Sequence, residues 1–217
     1  MLPLLSTQAP LQKITLVGLD QDISTRAMNF GKVLFLDFDG VLHPETCSPE
    51  SNFSCLPNFC NVLRHVDPEQ RVPVVISSMW RQYNTLSSMR EAFPSVVAAQ
   101  IVGVTPYLAT EQLRSVVDWA PLGGEQSKDR HRQREITMWM HAYAPAGQWL
   151  AIDDRPEYFF DDCPNLFTVP RSTRPGLGGI TSDVAQDLML RMKRFLNEPS
   201  PKFGGKIWGH NEPREPA

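Results

Sequence analysis

The chain has 217 residues, enough for one domain with a substantial hydrophobic core and too few for two large domains. Hydrophobic residues make up 41% and charged residues 21%, as in water-soluble globular proteins, and no apolar run is long enough for a membrane span. The formal net charge of -3 argues against a surface built as a whole to bind nucleic acid. Any anionic ligand must therefore be held by local positive charge.

The N-terminal sequence and the cysteines indicate the cellular compartment. MLPLLSTQAP has neither a basic segment nor a long apolar stretch, so we expect no secretory signal, and a cytoplasmic location. The four cysteines are too few for a disulfide scaffold and lack the short spacing of a zinc site. We expect reduced thiols.

Three segments follow from the composition along the chain. Residues 31–196 alternate short apolar runs with amphipathic segments, as strands and crossover helices of a parallel sheet do, and form the predicted domain. Residues 1–30 are an N-terminal extension that packs on this domain or leads into it. Residues 197–217 are a Pro- and Gly-rich tail, whose Ile207 and Trp208 could dock on the domain or on a partner.

The predicted elements of the central segment define its fold class. Continuous apolar runs predict strands covered on both faces at 33–38, 72–76, 99–104, 149–152 and 166–169. Amphipathic segments predict helices at 58–65, 83–93, 134–143 and 182–196. The sequence therefore predicts an α/β fold, a doubly wound and mainly parallel sheet with helices on both faces. Ligands of such sheets bind at the carboxyl ends of the strands.

Two carboxylates, Asp37 and Asp39, follow the first predicted strand. Residues two apart in an extended chain point to the same side, roughly 7 Å apart, so both flank one pocket. Gly40 lets the backbone turn there and approach a ligand closely. The alternative is a solvated Asp pair at a turn, but the flanking apolar sequences VLFL and GVL favour a functional site.

The second and fourth predicted strands also end in polar pairs. Ser77 and Ser78 offer hydroxyls to an oxyanion, although a turn or a helix cap is an alternative role. Asp153 and Asp154 would be costly to gather beside the first two acids unless a cation offsets their repulsion. Oxygen ligands of this kind suit Mg²⁺; the alternative is an N-cap for the segment that begins at Pro156.

These features occur in an order that resembles a known superfamily. Strand-Asp-x-Asp-Gly-Val-Leu, strand-Ser, a basic residue at a helix start and strand-Asp-Asp are similar to the four signatures of the haloacid dehalogenase-like (HAD) superfamily, over residues 33 to about 170. DFDGVLHP, SSMWR, GVTP and WLAIDD resemble more narrowly the HAD-like domains predicted in bacterial RNA-repair proteins.

The resemblance implies a Mg²⁺-dependent phosphatase. Asp37 would attack phosphorus to form an aspartyl-phosphate, and Asp39 would protonate the leaving oxygen and then activate water. Mg²⁺ would be held by Asp37, by the backbone carbonyl of Asp39 and by Asp154, with Asp153 supporting or sharing that role.

The resemblance also assigns phosphate-binding and substrate-binding residues. Ser77, with Ser78 as its rival, would bind the phosphoryl group. The sequence KDRHRQR at 128–134 holds four cations in seven residues, of which Arg132 is favoured and Lys128 comes next. We expect the remaining cations of this segment to lie on a solvated basic surface. His43, Trp80 and Arg81 follow the signatures closely and could contact the leaving group; for His43, an ordinary loop position is the alternative.

The length of the connections bounds the substrate. Only residues 42–56, and about twenty residues before Lys128, are available for a cap, so we expect no substantial cap domain and an open site. Within the superfamily, an open site resembles that of members that act on a large or exposed substrate, such as a nucleic-acid end, a nucleotide or a phosphoprotein, unless a second subunit or the C-terminal tail covers it. Two alternatives stay open, a phosphate- or nucleic-acid-end-binding module with little turnover and a phosphotransferase. The oligomeric state stays open as well.

Overall fold

The computed structural model describes residues 30–108, 130–172 and 174–199. Most of the predicted N-terminal extension and most of the C-terminal tail, including Ile207 and Trp208, therefore lie outside the described residues. The same applies to Lys128 and to most of the segment that precedes it.

The strands form one parallel sheet. Their bounds are β1 Lys32–Leu36, β2 Val74–Ile76, β3 Ile101–Val104, β4 Gln148–Asp153 and β5 Leu166–Thr168. The order across the sheet is β3-β2-β1-β4-β5, and every neighbouring pair is parallel. The predicted fold class is confirmed.

Helices cover both faces of this sheet. They are α1 Leu56–Val66, α2 Leu86–Arg90, α3 Ser95–Ala98, α4 His131–Tyr143 and α5 Ser182–Asn197, with 3-10 turns at Pro49–Ser51, Met79–Gln82 and Pro156–Tyr158. Leu34 and Leu36 of β1 belong to the core that contains α1 and α5, whereas Val33 and Phe35 belong to the core that contains α4. Alternate residues of β1 therefore face opposite layers, as in a doubly wound fold.

The predicted helix at 83–93 is wrong in its bounds. The chain first makes the 3-10 turn at Met79–Gln82, and α2 begins only at Leu86, because the side chain of Thr85 caps it by accepting from the amide of Ser88. Pro94 disfavours helical backbone at the preceding residue and stands at the start of α3.

The strand register determines where the functional residues meet. Leu36 of β1 is paired with Ile76 of β2 on one side and with Ile152 of β4 on the other. The residues that follow, Asp37, Ser77 and Asp153, are therefore neighbours at the carboxyl edge. The chain runs from β1 outward to β3 and returns to β4 on the other side of β1, so this edge is the switch point where ligands bind.

The path from β1 to α1 contains no cap domain. It consists of residues 37–55, with the 3-10 turn at Pro49–Ser51 as its regular structure. Across the described ranges, every helix is too short or too polar to span a bilayer.

Candidate active site

Asp37 is buried at the end of the central strand, and both carboxylate oxygens have partners. The amide of Phe38 donates to Oδ1 at 2.8 Å, and Nη1 of Arg132 lies 2.8 Å from Oδ2. These contacts fix the orientation of the carboxylate.

Arg132 brings a buried positive charge to this carboxylate. It is the second residue of α4, and its Nη1 also donates to Oδ2 of Asp153 at 2.7 Å. Burial works to lower the pKa of Arg132, but the charges of Asp37 and Asp153 outweigh it and raise that pKa above its ordinary value. The guanidinium therefore stays charged and joins the ends of β1 and β4.

Three carboxylates converge at this point. Asp37, Asp153 and Asp154 each present an oxygen, and these oxygens lie within 4.8 Å of one another. Burial and the charge of Asp37 raise the pKa of Asp154 to about 6, and burial raises the pKa of Asp153 in spite of Arg132. Such crowding of buried carboxylates is unfavourable unless a cation or a proton compensates it.

The oxygens of this cluster suit a hard divalent cation. Oδ2 of Asp154 is buried and has no hydrogen-bond partner; the nearest guanidinium nitrogens, of Arg171 and Arg155, are 3.6 and 3.9 Å away. Gly40 makes this position possible: its φ is +72°, and a Cβ there would lie 2.2 Å from Oδ2 of Asp154. Asp153, in contrast, is engaged by Arg132 and by the amide of Arg155 at 2.8 Å. The residues therefore fit a cation held by Asp37 and Asp154, with Asp153 as a support.

Asp39 faces outward beside this cluster. Its side chain is 45% exposed, Nε1 of Trp80 donates to both oxygens at 3.1 Å, and Nε2 of His43 lies 3.0 Å from Oδ1. Burial alone would raise the pKa of Asp39, but the hydrogen bonds from His43 and Trp80 and the charge of Arg132 lower it.

His43 supports Asp39 from within the protein. Nδ1 of its buried ring accepts from the amide of Phe53 at 3.3 Å, so Nε2 carries the hydrogen that is donated to Asp39. The prediction that His43 contacts the leaving group is corrected, because both ring nitrogens have protein partners. Trp80 likewise uses the only donor of its side chain on Asp39, while its ring packs edge-on against Phe38 and Phe53.

The two serines after β2 differ in their surroundings. The hydroxyl of Ser78 accepts from the amide of Trp80 at 3.4 Å and caps the 3-10 turn, the alternative role that the sequence offered. Ser77 follows the residue that pairs with Leu36 and is therefore next to Asp37. This arrangement favours Ser77 over Ser78 as the phosphate ligand.

Arg81 is a structural residue, which corrects the prediction that it contacts substrate. Nε donates to the carbonyl of Thr105, Nη1 to those of Ser77 and Ser78, and Nη2 to that of Pro106 and to Glu135 at 2.6 Å. Every N–H donor of the guanidinium is used in this way, so none is left for a ligand. Arg81 instead fixes the loop that carries Ser77.

Comparison with known protein families gives a match over most of the chain. The sequence model of a family described as the HAD domain in Swiss Army Knife RNA repair proteins matches residues 33–177. The chain belongs to this family. The match spans β1 to β5 and includes each of the acidic residues described above. The predicted resemblance is confirmed, and the match supports a HAD-type hydrolase family. No curated protein and no solved structure gave a match.

Among the basic residues of this HAD domain, the structure places Arg132 in the site. Arg130, two residues earlier, pairs with exposed Asp161 at 2.6 Å on the surface. Lys128 lies outside the described residues. The burial of Arg132 can be recognised from the sequence, because Ile136, Trp139 and Met140 follow it at helical spacing and lie on the buried face of α4.

Two further features of the HAD domain have no recognisable signal in the sequence. Glu135 is buried and pairs with Arg81 on one side and with the amide of Leu108 at 3.0 Å on the other. At the rim of the site, Glu45 accepts from Arg155 and from Arg171, the latter at 3.1 Å. Their partners lie far apart in the sequence, so only the fold brings them together.

Proposed function

We propose that this HAD domain is a Mg²⁺-dependent phosphomonoester hydrolase that works through an aspartyl-phosphate on Asp37. The observation that carries the proposal is the meeting of Asp37, Asp153 and Asp154 within 4.8 Å, with Arg132 in contact with two of them. Asp39, two residues along the chain, supplies a partly exposed acid and base beside this cluster.

Asp37 and Asp154, with the backbone carbonyl of Asp39, would hold the Mg²⁺. When bound, this cation neutralises charge on the phosphoryl oxygens and on the surrounding carboxylates. The buried Asp154 oxygen that has no hydrogen-bond partner supports this assignment. Asp153 would orient Arg132 toward the phosphoryl group, and Ser77 would donate its hydroxyl to a phosphoryl oxygen.

In the first half of the reaction, a carboxylate oxygen of Asp37 attacks phosphorus. The bond from phosphorus to the leaving oxygen breaks, and Asp39 gives that oxygen its proton. In this structure the pKa of Asp39 is lowered, so the free enzyme holds it ionised. The negative charge of an arriving phosphoryl group raises that pKa and favours the protonated form that this half requires.

In the second half, water attacks the phosphorus of the aspartyl-phosphate. Asp39 takes a proton from this water, the bond from phosphorus to Asp37 breaks, and inorganic phosphate leaves. The hydrogen bonds from Trp80 and His43 stabilise the ionised form of Asp39 that accepts this proton.

The substrate we propose is large or exposed, such as a nucleic-acid end, a nucleotide or a phosphoprotein. The description of the family favours an RNA end among these. The absence of a cap in the described path from β1 to α1 supports access by a large molecule. We propose the cytoplasm as the location.

Replacing Asp37 by Asn tests the proposal. With an aryl phosphate and Mg²⁺, D37N should lose turnover by at least about a thousandfold, because an amide is not a nucleophile of comparable strength. A chelator should abolish turnover by the natural chain. D161N, at an exposed surface position, is the matched control and should retain full activity. Unchanged turnover by folded D37N would refute the mechanism. Metal-dependent binding of phosphorylated ligands without phosphate release would favour a binding module. Transfer of the phosphoryl group to an added acceptor at a higher rate than to water would favour a phosphotransferase.

A further inference from the structure

A cavity of about 290 Å³ opens beside Asp39. Its walls are Asp39, Met79, Trp80, Tyr83 and Asn84, all but the first from the 3-10 turn after β2 and the residues that follow it. Asp39 is the only charged residue of this lining, and it is the group proposed to protonate the leaving oxygen. The cavity therefore lies where the leaving group of a bound phosphoester would extend.

Apolar and aromatic side chains of this cavity are open to solvent. Tyr83 is 83% exposed and Met79 is 36% exposed, although both are large hydrophobic residues. Exposed apolar residues that cluster at a concave surface beside a reactive carboxylate indicate a ligand site. Trp80 is held by its hydrogen bonds to Asp39 and by its edge-on contact with Phe38, so one wall is fixed in place.

The solvent exposure of the side chains increases from the proposed nucleophile Asp37 to the outer wall of the cavity. Asp37 is buried, the side chain of Asp39 is 45% exposed, and Tyr83 is almost fully exposed. A nucleotide has the same order of parts, with the phosphate innermost, the sugar in the middle and the planar base outermost. Aromatic side chains bind such bases by stacking. The side-chain nitrogen of Asn84 donates to the carbonyl of Trp80 at 3.0 Å, which orients the amide and leaves its oxygen as an acceptor for a base edge.

We infer that this cavity binds the nucleoside of the leaving group, with Tyr83 as the stacking residue for its base. The inference rests on the proposed function, because it takes Asp39 as the acid at the leaving oxygen. It assigns the specificity of the site to the segment from Met79 to Asn84. A phosphotyrosine fits less well, because its ring is bonded directly to the phosphate oxygen, with no intermediate unit that corresponds to the sugar of a nucleotide.

Turnover of two substrates tests this assignment. Y83A should raise the KM for a nucleoside monophosphate by about tenfold or more, the loss expected when one stacking contact is removed. The kinetics with glycerol phosphate, which has no base, should not change. Y83F should behave as the natural chain, since it keeps the ring. L190A, at another exposed apolar position, on α5, is the control and should change the kinetics of neither substrate.

Binding separates a failure of this inference from a failure of the proposed function. In the D37N background, calorimetric titration with adenosine 3′- and 5′-monophosphate and with glycerol phosphate measures affinity without turnover. Adding Y83A should weaken binding of a nucleotide by about tenfold and leave glycerol phosphate unchanged. Equal effects on both ligands, no effect on either, or a preference for phosphotyrosine that depends on Tyr83 would overturn the inference. An absence of phosphate release from every substrate would refute the proposed hydrolysis, while this titration would still test the nucleoside site.

Discussion

Asp154 owes its position to a single glycine. The positive φ of Gly40 and its missing Cβ let the turn after β1 approach the carboxylate, which is left buried with one oxygen that lacks a hydrogen-bond partner. Burial and the charge of Asp37 raise the pKa of Asp154 to about 6. A carboxyl group with a higher pKa in the folded than in the unfolded protein stabilises the fold when protonated. That stabilisation is lost as pH rises from the unfolded pKa toward 6.

Mg²⁺ should therefore stabilise the protein more at neutral than at acidic pH. The cation compensates the charge of Asp154 above pH 6 and competes with a proton below it, so the rise in Tm on adding Mg²⁺ should be larger at about pH 7.5 than at about pH 5. Thermal unfolding with and without Mg²⁺ measures this.

The variant D154N is the control for this measurement. It should abolish most of the Mg²⁺-dependent rise in Tm, and at neutral pH its metal-free form should be at least as stable as the natural chain. An equal Mg²⁺ effect at both pH values, or an undiminished effect in D154N, would contradict the assignment of Asp154 as a ligand.

At the scale of elements, one buried ion pair joins the loop after β2 to α4. The side chains of Arg81 and Glu135 are 2% and 0% exposed, and their closest atoms are 2.6 Å apart. Because Arg81 also binds the carbonyls of Ser77 and Ser78, the pair holds the predicted phosphate ligands against the helix that carries Arg132.

Removing one member of this pair should destabilise the fold strongly. R81M or E135L alone should each lower the free energy of unfolding by about 3–5 kcal/mol, because a buried charge is left without a partner. The free energy of unfolding of the double variant should fall by less than the sum of the losses in the two single variants. Urea unfolding measures these values. The exposed pair Arg71–Glu69 is the matched control, and R71A should cost less than about 1 kcal/mol. Additive losses in the double variant would show that the two side chains act independently.

The sequence predicts the sheet better than the connections. Continuous apolar runs mark the strands that the structure describes, because a parallel strand covered on both faces admits little else; β5, at the edge of the sheet, is only partly buried, contrary to the prediction. The acids at the strand ends, Asp37 and Asp153 among them, follow the apolar runs directly. Arg132 is also recoverable, from its helical spacing to Ile136. The role of Glu135 cannot be predicted from the sequence, because its burial depends on Arg81, more than fifty residues away. The exposure of Tyr83 could not be predicted either, since the predicted helix at 83–93 is interrupted by the cap at Thr85.

At the scale of the whole molecule, the site lies at an open edge of the sheet. In the part of the chain that the structure describes, β1 leads to α1 without a cap domain. Ion pairs of Glu45 with Arg155 and Arg171 line one side of the rim, and the cavity with Tyr83 opens next to Asp39. Nothing in this arrangement of described residues encloses a small substrate.

An open site should accept phosphate at the end of a long chain. A phosphorylated oligonucleotide should therefore be turned over with a kcat/KM no lower than that of the matching mononucleotide. Steady-state kinetics with a series of chain lengths measures this, and oligonucleotides without a terminal phosphate are the control. A steep fall in kcat/KM with chain length would indicate a site closed around small substrates.

The covalent intermediate tests the central claim most directly. The protein is mixed with a substrate that carries radioactive phosphate, quenched in acid within a turnover, and digested for peptide mapping. The account predicts a phosphoryl group on Asp37 that is stable in acid and lost in alkali, absent from D37N and reduced when Mg²⁺ is withheld. Rapid phosphate release without any label on the peptide that contains Asp37 would contradict it.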